Sequence, residues 1–206
     1  MHSHFCICKF IPRYNLKTRL ILVMHRREFV KPTATGPLIL EALTNSELRI
    51  QGNPHQLLDF SDLKSENRRT LLLYPGEGAS VLNRSFLARD DRAISIVVPD
   101  GTWSQSARMG KRLPGIEHAE MVRLPEGRKT EWKIRKEVHP YGLSTFEAIA
   151  RAFGVIESIE IQKRLESLFR LMVQRTLSAR GIAKNKNTRD PGHSSRKDDK
   201  TGGPAC

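Results

Sequence analysis

Cysteine is scarce in this sequence. Only Cys6, Cys8 and Cys206 occur in 206 residues, whereas small secreted folds stapled by disulfides use more, in even number, so a disulfide framework is not expected. Long hydrophobic runs are missing too. The longest, Leu20–Met24 and Ala93–Pro99, are strand-sized and fall far short of the ~20 residues of a membrane-spanning helix, so no membrane partner is expected. The first residues lack a basic stretch followed by an apolar one, the pattern of a secretory signal. Together these absences point to a cytoplasmic protein of a reducing compartment. Aromatics are few, at 6%, and acids are outnumbered, 22 Asp+Glu against 35 Lys+Arg, for a net charge of +13. That surplus attracts polyanions, of which nucleic acid is the commonest in a cell. A length near 200 fits one domain, or one domain with a tail, and leaves room for a core.

The apolar runs that do occur are Arg19–His25, Thr70–Pro75 and Ala93–Asp100, with Ala119–Pro125 a weaker fourth. Continuous rather than alternating runs predict strands covered on both faces, as in a parallel sheet. Helix-like stretches, Pro37–Leu43 and Trp103–Leu113, fall between them, and this rhythm predicts an α/β fold with flanking helices. From Ser144 the pattern turns to longer helices. Ser144-Thr-Phe-Glu147 fits a capping box ahead of a helix Thr145–Phe153, with Gly154 as its break. In Glu157–Ala179, Ile161, Leu165, Leu168, Phe169 and Met172 recur at helical spacing, as core or dimer packing. From Arg180 onward seven Lys/Arg face three Asp, with no large apolar residue after Ile182. This stretch is expected to be a disordered basic tail. It leaves +9 on residues 1–179. The expected organisation is an N-terminal segment 1–18, a catalytic domain 19–179 and a tail 180–206.

Several groups could carry chemistry. Asp100-Gly-Thr-Trp103 ends the most strand-like run and opens a helix. In open α/β sheets ligands bind beyond the carboxyl ends of strands, so an acid and a hydroxyl there can touch substrate. The same residues also fit a plain strand-end turn with Asp100 or Thr102 as helix cap. Thr35-Gly36 at a helix start could hold an anion on free amides, or could be an ordinary loop. Tyr74-Pro-Gly-Glu-Gly78 could let the backbone approach a flat ligand, or simply turn the chain. Trp132-Lys-Ile-Arg-Lys136 interleaves an aromatic ring with Lys133, Arg135 and Lys136, a pattern suited to stacking on a base and contacting phosphates. It reads equally as a solvated basic loop. Cys6-x-Cys8 offers two of the four ligands of a structural zinc site; without a second pair, free thiols are the default.

Taken in order, these segments resemble the DTW-domain family of tRNA-uridine aminocarboxypropyltransferases. The resemblance is carried by Asp100-Gly-Thr-Trp103, by Cys6-x-Cys8, Thr18-Arg19-Leu20, His25 and Glu28 before it, by Thr35-Gly36 and Tyr74-Pro75, and by Arg135-Lys-Glu137 and Leu143-Ser-Thr-x-Glu147-Ala148 after it. It runs from about Cys6 to about Ala152. It implies a SPOUT-like, knotted domain with S-adenosylmethionine as donor of a 3-amino-3-carboxypropyl group. The acceptor it implies is the ring nitrogen of a tRNA uridine, and the by-product is 5′-methylthioadenosine. In that frame Asp100, Thr102 and Trp103 are the catalytic candidates, with Asp100 as general base, its pKa raised by burial beside Trp103. Thr35, Gly36, Tyr74, Pro75, Leu124, Ser144, Thr145 and Glu147 would hold the donor, Glu147 serving as capping partner or as acceptor for the donor's ammonium group. Arg108, Trp132, Lys133, Arg135 and Lys136 would meet the RNA.

The chain departs from the family pattern in three places. Family members carry a further Cys-x-x-Cys that completes a zinc site, of which Cys6 and Cys8 are one half. The loop arginine and asparagine of the family are Pro37 and Ala34 here. An RNA methyltransferase using the same donor and a non-catalytic RNA-binding module stay open as alternatives. No obligate protein partner is implied, and a monomer and a homodimer are equally compatible with the sequence.

Overall fold

The computed structural model describes residues 5–31, 33–53, 58–131 and 142–182. Six strands build one sheet: β1 (Arg19–His25), β2 (Ser46–Gln51), β3 (Arg68–Leu73), β4 (Ser80–Val81), β5 (Ala93–Asp100) and β6 (Glu120–Arg123). They run in the order β2-β1-β5-β3-β6-β4 with every pairing parallel. The helices are α1 (Arg26–Phe29), α2 (Gly36–Ala42), α3 (Arg84–Leu87), α4 (Trp103–Arg112), α5 (Thr145–Ile156) and α6 (Ile159–Ala179). This is the α/β fold with a parallel sheet and flanking helices read from the sequence.

Side chains alternate between the faces of a strand, and here both faces are covered. Leu20, Leu22 and Met24 of β1 and Ile96 and Val98 of β5 join α2, α5 and α6 in one core. Ile21, Val23 and Val97 join Met109 of α4 and Leu113 just after it, with Phe60 and Leu63, in a second. That double burial is why β1 and β5 have unbroken apolar runs and why their observed bounds match the expected ones. The run Thr70–Pro75 falls two residues earlier than expected, as β3. The alternating Ser46–Gln51 was not expected as a strand. It is the sheet's edge, where Leu48 and Ile50 lean on the core while Glu47 and Arg49 join Arg19 and Asp62 in an ionic cluster.

Gly154 does not break α5, which continues to Ile156. Its role is packing: a Cβ there would run into the Gln162 side chain of α6. The chain turns instead at Glu157–Ser158, where the Ser158 hydroxyl caps α6 and Glu157 accepts from the Thr18 backbone N–H at 2.9 Å. Leu165, Leu168 and Phe169 of the predicted helical stripe are buried against α5 and the sheet, with Ile161 and Met172 packed beside them; Phe169 stacks on Phe146 at 5.2 Å between centroids. The stripe is therefore core of this chain. At its end, Gly181 adopts φ +68. Its N–H bonds Ser178 O, and Ile182 N–H bonds Leu177 O, the paired bonds of a Schellman stop. The expected tail from residue 183 lies outside the described residues. Among those residues no helix is long and apolar enough to cross a membrane.

Candidate functional site

All-parallel pairing puts every strand's carboxyl end on one edge, and the sequence candidates gather there. β5 delivers Asp100 between its neighbours β1 and β3. Met24 of β1 pairs with Asp100, so both side chains face α2 and α5. Asp100 is 9% exposed. Its Oδ1 accepts a hydrogen bond of 2.6 Å from Thr145 Oγ1, at the first position of α5. Its Oδ2 lies over Gly36: a Cβ there would come within 2.6 Å of that oxygen and 2.7 Å of Leu22 Cδ2. Asp100, Gly36 and Thr145, spread over 109 positions of sequence, thus meet at one point.

The close approach at Gly36 yields a prediction. Gly36→Ala has no room without moving Asp100 or α2, an overpacking strain of about 1–3 kcal/mol. A lowered Tm on thermal unfolding is expected; an unchanged Tm would mean that α2 tolerates the methyl by shifting.

The other candidates separate into functions of their own. Thr102 is the N-cap of α4. Its Oγ1 accepts from Gln105 N–H, and its own N–H donates to Gln105 Oε1 at 2.7 Å, closing a capping box. The hydroxyl that holds the Asp100 carboxylate is therefore Thr145's, with Thr102 engaged at the helix start. Trp103 is 41% exposed. It lines a cavity of about 420 Å3 with Pro75, Leu124 and Leu143, beyond the ends of β3 and β6. Arg123, Arg128, Lys129, Arg151 and Glu126 complete its wall, and Arg151 Nη1 donates to Arg128 O at 2.7 Å. Tyr74 does not line this cavity. Its ring lies against α4, where a Cβ at Gly110 would come within 2.6 Å of it. Thr35 is buried at the N-cap position of α2 without a side-chain cap bond.

Glu147 is 3% exposed and receives four donors. Oε2 accepts from Ser144 N–H at 3.0 Å, from Ser144 Oγ at 2.8 Å and from Thr130 Oγ1; Oε1 accepts from Glu131 N–H at 2.7 Å. Of its two sequence readings, the capping one is realised, extended by an unforeseen grip on residues 130–131. Arg108 is exposed on α4. Trp132, Lys133, Arg135 and Lys136 lie outside the described residues.

Cys6 and Cys8 are free thiols before β1. The Cys8 N–H at 3.5 Å leads the influences that hold the Cys6 thiol below its ordinary pKa, whereas the Cys6 side chain pushes the Cys8 thiol up. A structural zinc needs four ligands. Among the described residues no group of three or more His, Cys, Asp or Glu side chains comes together to hold a metal.

Sequence reasoning missed two features. Gln105 and His25 are joined across the edge, Gln105 Nε2 to His25 Nδ1 at 3.1 Å; the Thr102-x-x-Gln105 capping pattern was a readable signal for half of this. The cations around the cavity come from residues 123–129 and α5, and no motif marks them.

Comparison with known proteins gives a consistent result. The sequence profile of the family described as DTW domain matches residues 1–177. The chain is 28% identical over 157 residues to tRNA-uridine aminocarboxypropyltransferase 2 of Macaca fascicularis, covering 74% of this chain and 53% of that protein. It is 25% identical over 158 residues to the protein of the same name in Mus musculus, again covering 74% and 53%. The chain thus spans about half the length of these curated relatives. No solved structure matches it.

Proposed function

The chain belongs to the DTW-domain family, and on that premise we propose that it is a tRNA-uridine aminocarboxypropyltransferase that acts in the cytoplasm, with its sheet and α5 arranged in SPOUT-like, knotted fashion. The proposed donor is S-adenosylmethionine, which supplies a 3-amino-3-carboxypropyl group from its sulfonium centre. The observation that carries the proposal is the placement of Asp100. It is nearly buried and oriented by Thr145, three residues before Trp103, which lines a cavity whose size suits a small cofactor.

The residues suit that donor. Pro75, Trp103, Leu124 and Leu143 offer apolar walls for an adenine ring, and Arg123, Arg128, Lys129 and Arg151 offer cations for a carboxylate. Gly36 leaves the space in which Asp100 sits. The uracil ring nitrogen carries a proton at neutral pH and is a poor nucleophile. Asp100 takes that proton while the nitrogen forms its bond to the chain's terminal methylene; the carbon–sulfur bond breaks, and its electron pair neutralises the sulfur of departing 5′-methylthioadenosine. Thr145 keeps the carboxylate aimed, and Trp103 walls the site against water. Selectivity for this chain over the methyl group is a matter of orientation, with the reacting atoms held roughly 3–3.5 Å apart.

The test is nucleoside mass spectrometry of tRNA incubated with the purified protein and S-adenosylmethionine. A uridine heavier by the aminocarboxypropyl group is expected. A gain of a methyl group would make the protein a methyltransferase, and RNA binding without any modification would make it a binding module.

A further inference from the structure

β5 separates two territories at the catalytic edge: the cavity lies beyond β3 and β6, and the end of β1 lies on the other side. There the chain runs His25-Arg-Arg-Glu-Phe29 into α1, and none of these residues has a role in the account above. The Thr102 N–H fixes the Gln105 amide by donating to its Oε1 at 2.7 Å, so the amide nitrogen must donate to His25 Nδ1, 3.1 Å away. The Arg27 N–H also donates to Nδ1, at 3.2 Å, which makes His25 the N-cap of α1. An imidazole nitrogen that receives two donors carries no proton, so the proton sits on Nε2. Burial, followed by the nearby guanidinium of Arg27, holds the His25 pKa below its ordinary value; Arg26 and Arg108 add to this and Glu28 opposes it. The ring is a neutral donor at pH 7.

Arg26 and Arg27 follow His25 directly in the chain, and Arg108 of α4, the helix whose Gln105 bonds the ring, bears on the same partly buried imidazole. Arg26, Arg27 and Arg108 are all exposed. Arg108 stands three residues beyond Gln105 and so on the same side of α4. Among the described residues none of the three forms an ion pair; Arg26 bonds only the Gly52 carbonyl, at 3.3 Å. Three unneutralised cations in one corner repel one another, an arrangement that suits a polyanion arriving from outside. Next to them Phe29 is 51% exposed, an aromatic face on the same side of α1 as Arg26.

We propose that His25, Arg26, Arg27 and Arg108 form a phosphate-binding corner for the RNA strand that carries the target base, with Phe29 as a stacking platform for a flanking base. The corner rests on the reading of the protein as an RNA-modifying enzyme, and it names where that RNA lies: over β1, across Asp100 from the donor cavity. Guanidiniums suit phosphate oxygens, the Nε2–H adds a neutral hydrogen bond, and an exposed ring beside cations is the usual combination for unpaired bases.

The experiment measures the affinity of the intact protein for an unmodified tRNA transcript over a range of salt concentrations. In the Arg26→Gln/Arg27→Gln/Arg108→Gln variant the slope of log affinity against log salt should shrink by about 2. His25→Asn keeps an acceptor for the α1 cap but loses the Nε2 donor. It should weaken binding by about 3–10-fold with the slope unchanged, and His25→Gln, whose amide nitrogen reaches the Nε2 position, should restore affinity. Phe29→Ala should weaken binding at unchanged slope. A triple variant with the wild-type slope, or a His25→Asn protein that binds like wild type, overturns the corner. Because these readouts are binding constants, they stand apart from the transfer assay: a wild type that binds tRNA through this corner yet transfers nothing sinks the transferase reading alone.

Discussion

Asp100→Asn is expected to lower aminocarboxypropyl transfer by about 10²–10⁴-fold, the usual contribution of a positioned general base, while Tm and tRNA affinity stay near wild type. The amide has the shape of the carboxylate, and Thr145 Oγ1, which donates to Asp100 Oδ1 at 2.6 Å, can donate to the amide oxygen just as well. Fold and orientation are therefore preserved and only the proton acceptor is lost. The loss should fall on the chemical step, since nothing that touches the donor cavity or the β1 corner has changed. Single-turnover transfer with saturating donor reads that step directly. If the variant transferred at close to the wild-type rate with tRNA bound normally, the proton would have to leave by another route, and Asp100 would be a structural residue at the strand end. A variant that lost both transfer and thermal stability would instead show that the carboxylate holds α5 to the sheet through Thr145.

The site was legible where chemistry and chain order coincide. The Asp100–Trp103 turn sits at the end of β5, whose unbroken apolar run reflects burial against α2 and α5 on one face and α4 on the other. A two-sided core leaves a strong trace in sequence. The edge strand β2 leaves a weaker one, because Glu47 and Arg49 alternate with Leu48 and Ile50 and serve an ionic cluster rather than a second core. Gly154 misled for a related reason: glycine within a helix reads as a stop, but here close packing of α6 demands it. The Thr145–Asp100 bond spans 45 positions, and no local pattern encodes such a pairing. The sequence motif offered Thr145 as a candidate to hold the donor; the fold turns its hydroxyl toward the acid. Likewise the capping pattern Ser144-x-x-Glu147 was readable, but not the second grip of Glu147 on residues 130–131, which depends on where the loop after β6 returns.

That second grip makes Glu147→Gln the next most consequential substitution, with an expected loss of about 2–4 kcal/mol of stability, or a Tm lower by roughly 5–15 °C for a domain of this size. Among the described residues the groups that bond the Glu147 carboxylate are all donors: the Ser144 N–H and hydroxyl and the Thr130 hydroxyl at Oε2, and the Glu131 N–H at Oε1. A glutamine must turn its own NH2 toward one side of that set. Facing Oε1's partner it meets the Glu131 N–H, which cannot reorient, and facing Oε2's partners it loses the Ser144 N–H. Either choice leaves buried donors opposed, with little solvent to relieve them at 3% exposure. The head of α5 would fray first, and with it Thr145, the residue that aims Asp100. Transfer should therefore fall along with Tm, while the affinity for S-adenosylmethionine, measured by calorimetry below the melting transition, stays close to wild type. Should donor affinity drop sharply with Tm unchanged, Glu147 would be reaching the donor's ammonium group, and the capping bonds would be secondary. The opposite pattern separates a residue that builds the site from one that occupies it, and the four converging donors favour the builder.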